Sequence, residues 1–480
     1  MEIEFVNRKE ELSFLNKKWE HNDPQLIIVY GKRRVGKTEL CLHFAKDKPH
    51  LYFLCERIPI RLQLKKLTEA VAGFFNDEFL PKEGLDDWEK LFKYLSLKCK
   101  ERKMILIIDE FSYLAETDDS VPSSFQKAWD LYIKASKIFL ILSGSSISMM
   151  EKSALFYNAP LYGRRSGQIL VKQFKFKDLR DMFKGKSFED ILTIYAVVGG
   201  TPMYLNKFKR GNYLDVINDE IFSKGQPLYE EVDFILREEL KEPRNYFAIL
   251  EAISLGKHRL SEIINETGFD KGLTSRYVSI LNQLQITKKD TPVTEKMPEK
   301  SRNGLYVIDD NFIGFWFRFI FRNKSLLEEG KKKEVTDKLK KSLIELQAKA
   351  YESIAGEILI ENLLNLNLNF QSYGRWWHKD KEIDLVTINA SSSEILFGEV
   401  KWSNKKVGVD IYENLKNKSR LVPWGVSSFI SEHRGRGGMP RKEYFALFSK
   451  SGFTDAMTNI AAEEGVLLFE KDRLMSILNR

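Results

Sequence analysis

The sequence predicts an α/β chain built on a mostly parallel sheet, with a second α/β unit after a helical middle. Three observations carry this. Apolar runs at LIIVY (26–30), LYFLC (51–55), MILIIDE (104–110) and IFLILSGSS (138–146) alternate with helical stretches such as EKLFKYLSLKCKE (89–101); this is the rhythm of buried strands joined by crossover helices. From about 170 to 237 the strand-like runs give way to helical text, broken at GGTP (199–202). Past residue 346, AKAYESIAGEILIENLL precedes the strand-like EIDLVTI and ILFGEVKW, a helix followed by strands.

At 480 residues the chain is too long for one core, and two to four domains are expected. Hydrophobic residues at 43% and charged residues at 30% describe a soluble globular protein. No apolar run is long enough to span a bilayer, and MEIEFVNRKEEL lacks a signal-peptide pattern. Three cysteines and six scattered histidines without metal spacing argue against structural zinc and for a reducing, cytoplasmic setting with no membrane partner. A net charge of +8 favours anionic partners such as nucleic acid.

GKRRVGKT (31–38) follows one apolar run and precedes ELCLHFAK, matching G-x-x-x-x-G-K-[ST] in a strand–loop–helix setting. Gly31 and Gly36 let the backbone curl so that its amides face phosphate oxygens. Lys37 supplies a point charge for the β- and γ-phosphates, Thr38 offers a hydroxyl to Mg²⁺, and the helix that follows presents its positive end. Val35 and Glu39 flank this set as further nucleotide contacts. ILIIDE suits a buried strand delivering Asp109 to Mg²⁺ and Glu110 to the attacking water. The expected ligand is ATP with Mg²⁺, and the expected activity is its hydrolysis. Ser143 or Ser145, ending the next strand, is either a γ-phosphate sensor or a strand-to-turn cap. Arg164, paired with Arg165 in PLYGRRSG, is either a stabiliser of transition-state charge or part of a surface patch.

Residues 244–308 hold three helix-sized units, stopped at Gly256 and Gly268, and then a polar hairpin, the order of a winged helix. Its third helix, LTSRYVSILNQL, is expected to present Thr274, Ser275, Arg276 and Tyr277 to DNA, with Lys288, Lys289, Lys296 and Lys300 of the wing on phosphates. A protein contact or a lid is the alternative. The aromatic run DDNFIGFWFRFIF (309–321) is expected to fill a domain seam, and KKKEVTDKLKK (331–341) to be a solvated connector or helix face.

In ILFGEVKW, Glu399 and Lys401 share one face of a strand, and fourteen residues separate Asp384 from Glu399. With Glu352 or Glu357 from the preceding helix, Asp384 and Glu399 offer oxygen ligands to Mg²⁺ or Mn²⁺, and Lys401 a group for the developing anion. A structural salt bridge explains the same pattern.

Residues 1–310 resemble the archaeal-type P-loop ATPases of the AAA/STAND superfamily through FVNRKEEL, GKRRVGKT, ILIIDE, PLYGRRSG and GGTPMYL. LTSRYVSILNQL, PVTEK, SRNGLYVIDDNFIGFWFRF and YGRWWHKDKEIDLV…GEVKW resemble the same family's winged helix and C-terminal domain, the latter similar to PD-(D/E)xK nucleases. The resemblance implies nucleotide contacts for Gly31, Gly36, Lys37, Thr38, Asp109 and Glu110. It places Asn7 and Arg8 near the adenine or ribose, and points to Glu352, Asp384, Glu399 and Lys401 in the C-terminal domain. Tyr351 stands where the family usually has Phe.

The expected architecture is a P-loop NTPase core (1–170), a helical lid (171–243), a winged helix with its aromatic seam (244–325), a charged connector (326–345) and a restriction-endonuclease-like domain (346–480). The expected function is an ATP-driven switch that associates with DNA and cleaves it. A non-cleaving regulatory ATPase, whose C-terminal domain is a binding or oligomerisation module, is the rival, and a nucleotide-dependent homo-oligomer fits either.

Overall fold

The computed structural model describes residues 5–80, 85, 87–240, 242–363, 368–424, 441–471 and 474. Two compact units divide the chain, one formed by residues 1–182 with 200–206 and the other by 183–199 with 207–480.

In the first unit, β1 (Gln25–Tyr30), β2 (His50–Leu54), β3 (Met104–Asp109), β4 (Ile138–Gly144) and β5 (Gly167–Leu170) form one sheet in the order β2-β3-β4-β1-β5. Every pairing is parallel. Parallel strands need crossover connections, and helices cover both faces, which is why these strands read as continuous apolar runs. Their side chains alternate between two cores. Ile27, Val29, Ile105, Ile107, Phe139 and Ile141 pack with Leu40 and Phe44 of the helix Lys37–Ala45. Leu26, Ile28, Leu106, Ile108, Leu140 and Leu142 pack with Leu91, Phe92 and Phe125 on the other side. Because β4 lies between β1 and β3, the loop leaving β1 and the acids ending β3 flank the end of β4.

The stretch expected to be one lid is divided. Its helix Phe188–Val198 is apolar almost all round and packs in the second unit. There Phe188 meets Tyr351 edge to face, and Gln347 Nε2 donates to Thr193 Oγ1 at 2.8 Å.

The helices Pro243–Ser254, Leu260–Thr267 and Lys271–Gln283 are followed by an antiparallel pair, β6 (Thr287–Asp290) and β7 (Leu305–Ile308), the element order of a winged helix. The aromatic run buries Phe312, Phe315, Trp316, Phe317 and Phe319, and Trp316 Nε1 donates to Tyr229 O at 2.8 Å. It thus ties the helix Pro227–Glu239 to the three-helix module, where Phe247 meets Trp316 and Phe317.

The charged connector is not a separate element. Lys332–Asn362 is one helix of 31 residues. Val335 and Leu339, one turn apart, are fully buried beneath the lysine-rich exterior, and Thr336 Oγ1 donates to Asn218 Oδ1 at 2.5 Å.

The C-terminal sheet contains β8 (Ser372–His378), β9 (Lys381–Asn389), β10 (Glu394–Lys401), β11 (Lys442–Ser449) and β12 (Leu467–Glu470), in the order β12-β11-β10-β9-β8. β8, β9 and β10 run antiparallel, whereas β10, β11 and β12 run parallel. The helices Val409–Ser419 and Asp455–Glu464 pack against one face through Tyr412, Leu415 and Met457. At Gly356 the long helix faces β9, where an added Cβ would lie in ordinary contact with Leu385 at 3.5 Å. Among the described residues no helix is long and apolar enough to cross a membrane.

Gly31 ends β1 at φ +148°, and a Cβ there would fall 2.3 Å from Val171 O. Gly31→Ala is therefore expected to destabilise the first unit by about 2–4 kcal/mol, read from denaturant unfolding.

Candidate nucleotide site and C-terminal acid cluster

After Gly31 the loop curls through left-handed conformations at Arg34 (φ 66°) and Gly36 (φ 92°) before entering the helix Lys37–Ala45. The Lys37 side chain folds back over it. This residue is 5% exposed, and its Nζ donates to Gly31 O (3.0 Å), Lys32 O (3.0 Å) and Ser145 Oγ (2.8 Å). Burial pushes the amine below its ordinary range, and Glu110 and Asp109 partly offset this. Beside it, Thr38 Oγ1 donates to Asp109 Oδ2 at 2.6 Å.

Asp109 is buried at the end of β3. Its Oδ1 accepts from the Glu110 amide at 3.0 Å, and Oδ2 also accepts from Tyr52 OH at 3.0 Å. Glu110 sits at φ 52°, and its carboxylate accepts from Ser145 Oγ (2.5 Å) and Ser145 N (3.2 Å). Ser145 therefore bridges the lysine and the acid.

The remaining sequence-derived residues are distributed unevenly. Val35 is buried, and its carbonyl accepts from Arg8 Nη2 at 2.8 Å. That guanidinium also donates to Lys172 O at 2.7 Å and lies 4.8 Å from the Phe174 ring centre, so Arg8 braces the loop from behind. Asn7 donates to Asp178. Glu39 is exposed on the first turn of the helix. Ser143 is fully buried within β4, and its hydroxyl finds no partner among the described residues; Ser145, two residues on, takes the place beside Lys37. Arg164 is not brought to the loop. It is held by Asp130 (2.9 Å) and leads into β5, where Ser166 N donates to Leu26 O. That is the start of β1, whereas the loop leaves from its end.

In the C-terminal domain, Asp384 on β9 and Glu399 on β10 lie just past the end of the antiparallel ladder, whose last pair is Gly398 with Leu385. Beyond it the Val400 amide donates to Asp384 Oδ2 at 2.8 Å. Glu399 is buried. Its Oε1 lies 2.7 Å from Lys401 Nζ, and Lys418 Nζ lies 3.0 Å from each of its oxygens. Burial and then Glu399 push Asp384 up to about 6, and burial and then Asp384 push Glu352 up to about 7. Glu352, rather than Glu357, is thus the helix acid facing this cluster; five residues along a helix turn the side chain to another face. Among the described residues no three His, Cys, Asp or Glu side chains are grouped to hold a metal ion. With both Glu399 oxygens on lysines, the residues as arranged do not fit a divalent cation.

The third helix of the trihelical module turns Thr274 and Tyr277 inward, correcting the expectation that they face a ligand. Its exposed positions are Lys271, Gly272, Ser275, Arg276, Ser279 and Gln283. In the wing, Lys288 pairs with Asp309 at 2.7 Å, Lys289 donates to Pro298 O and Glu299 O, and Val293 N donates to Arg375 O of β8 at 2.9 Å.

Motif reading missed Tyr52 and Lys418. One sits within an apolar run, the other in a lysine-rich helix, and neither has a local signature.

Glu352 and Asp384 bind protons more tightly when folded than their ordinary values of 4.5 and 3.8 allow, so their contribution to stability is full below those values and lost as pH rises through about 6 to 7. Glu352→Gln is expected to be more stable than wild type at pH 8 by about 1 kcal/mol or more and to show no gain at pH 4, by chemical denaturation.

Residues 5–208 match a family described as an ATPase domain predominantly from Archaea, and residues 316–413 one described as Archaea bacterial proteins of unknown function. An uncharacterized protein of Methanocaldococcus jannaschii is 39% identical over 424 residues, 87% of this chain and 92% of that one. An uncharacterized ATP-binding protein of the same organism is 59% identical over 46 residues, 10% of this chain and 78% of the relative. A Walker-type ATPase of Pyrococcus abyssi shares the fold at a TM-score of 0.51 and 22% identity, over 65% of this chain and 96% of that chain. The chain belongs to the archaeal ATPase family in which this phosphate-loop domain precedes that C-terminal domain.

Proposed function

We propose that the chain is a Mg²⁺-dependent ATPase that works as a switch on DNA. One observation carries the nucleotide reading. Thr38 Oγ1 and Asp109 Oδ2 stand 2.6 Å apart beside a buried Lys37 amine whose contacts are neutral oxygens. This donor set fits a triphosphate and its cation. Lys37 would exchange the Gly31 and Lys32 carbonyls for phosphate oxygens, while the loop amides supply the remaining donors. Thr38 and Asp109 would hold magnesium, which when bound neutralises charge on the β- and γ-phosphates. Glu110, held by Ser145, is the group that would orient water and accept its proton.

The DNA reading rests on the third helix of the module. Its exposed face combines Lys271, Arg276, two serines and Gln283 without an acid, a set suited to phosphate and base-edge contacts. For the C-terminal domain, the two lysines on Glu399 favour a binding or oligomerisation module over a metal-dependent phosphodiesterase.

Lys37→Ala is expected to abolish the heat of ATP–Mg²⁺ binding in calorimetry. Glu110→Gln should keep that heat and lower the rate of phosphate release by about 10²-fold or more. Fluorescence anisotropy with duplex DNA should give an affinity that weakens with salt and falls about tenfold in Arg276→Ala. The same DNA should stay intact in Mn²⁺ with ATP. Cutting by the wild type that disappears in the Glu399→Ala, Lys401→Ala double variant would reverse the reading of the C-terminal domain.

A further inference from the structure

We propose that Tyr52 is a positioning residue of the nucleotide site, one that holds the Asp109 carboxylate in place and so sets the magnesium dependence of nucleotide binding. The inference rests on the ATP–Mg²⁺ reading above and adds a residue that no phosphate-loop pattern contains.

Tyr52 lies on β2, the strand outside β3. In the parallel register Tyr52 stands beside Ile107 and Leu54 beside Asp109, so the phenol extends along the sheet toward the edge where β3 ends. Its hydroxyl reaches Asp109 Oδ2 at 3.0 Å. Three donors thus fix this carboxylate: Tyr52 OH and Thr38 Oγ1 on Oδ2, and the Glu110 amide on Oδ1. Thr38 is the member that the loop pattern assigns to a cation. Once its hydroxyl is committed there, Tyr52 is the side-chain donor left on Asp109 among the described residues. The ring packs against the core formed by β1, β3 and β4, which fixes where the hydroxyl ends.

A fixed carboxylate presents its free lone pairs in one direction, and cation affinity depends on such hydrogen-bonded orientation of the ligand. Removing the hydroxyl leaves the ring in place and, once Thr38 is on the cation, leaves Asp109 held by the Glu110 amide.

The test is Tyr52→Phe in the full chain, using a fluorescent ATP analogue titrated in EDTA and again across magnesium concentrations. Affinity in EDTA should stay within about twofold of wild type, while the magnesium midpoint rises about 3–10-fold. Hydrolysis at limiting magnesium should fall in step and recover at high magnesium. Tyr52→Leu should show the same midpoint shift with a lower melting temperature, separating the hydroxyl from the packing of the ring. An unchanged midpoint in Tyr52→Phe, or a parallel loss of affinity in EDTA, overturns the role of Tyr52 and leaves the ATP reading intact. A wild type that binds no nucleotide overturns both.

Discussion

A lysine amine shut away from water with only neutral oxygens for company is an unfavourable arrangement, and the first unit is organised around one. Lys37 touches two loop carbonyls and the Ser145 hydroxyl, and its positive charge is answered only at longer range by Asp109 and Glu110. The backbone maintains this state. Gly31 passes too close to Val171 to carry a side chain, Gly36 turns left-handed, and Arg8 grips the Val35 carbonyl from beneath. These contacts fix the loop's path, and the Lys37 amine folded onto it is an under-compensated cation. A polyanion relieves that imbalance better than any group the loop supplies itself.

The C-terminal cluster has the opposite bias. Where β9 and β10 part, Asp384 and Glu352 are driven toward the neutral form by burial and then by a neighbouring carboxylate, Glu399 for the first and Asp384 for the second. The third, Glu399, is kept in place by Lys401 and Lys418. One unit thus carries a cation in search of anions, and the other a carboxylate group already closed by cations.

Much of this was legible in the sequence because it is local. The strands β1, β3 and β4 are buried on both faces, so each reads as an unbroken apolar run, and the phosphate loop is a contiguous pattern whose chemistry follows from residue type. What escaped depends on partners far along the chain. Tyr52 meets Asp109 across 57 residues and Lys418 meets Glu399 across 19, and nothing near either residue announces the contact. Thr274 and Tyr277 looked outward because they lie at a helix start, but only the helical phase set by Val278 and Leu281 decides which face is covered. The charged run 331–341, open between a connector and a helix face, is the helix face for a related reason. Its lysines dominate the text, whereas Val335 and Leu339, one turn apart, decide its structure.

That helix, Lys332–Asn362, extends for about 46 Å at the usual rise. Near one end Thr336 and Lys332 are tied to Asn218 and Ser223; midway Gln347 meets Thr193; and farther along Glu352 enters the acid cluster. No proline interrupts it, so it carries no proline kink. The Thr336 anchor and Glu352 of the acid cluster are therefore carried on one continuous element, roughly 24 Å apart along its axis at the usual rise.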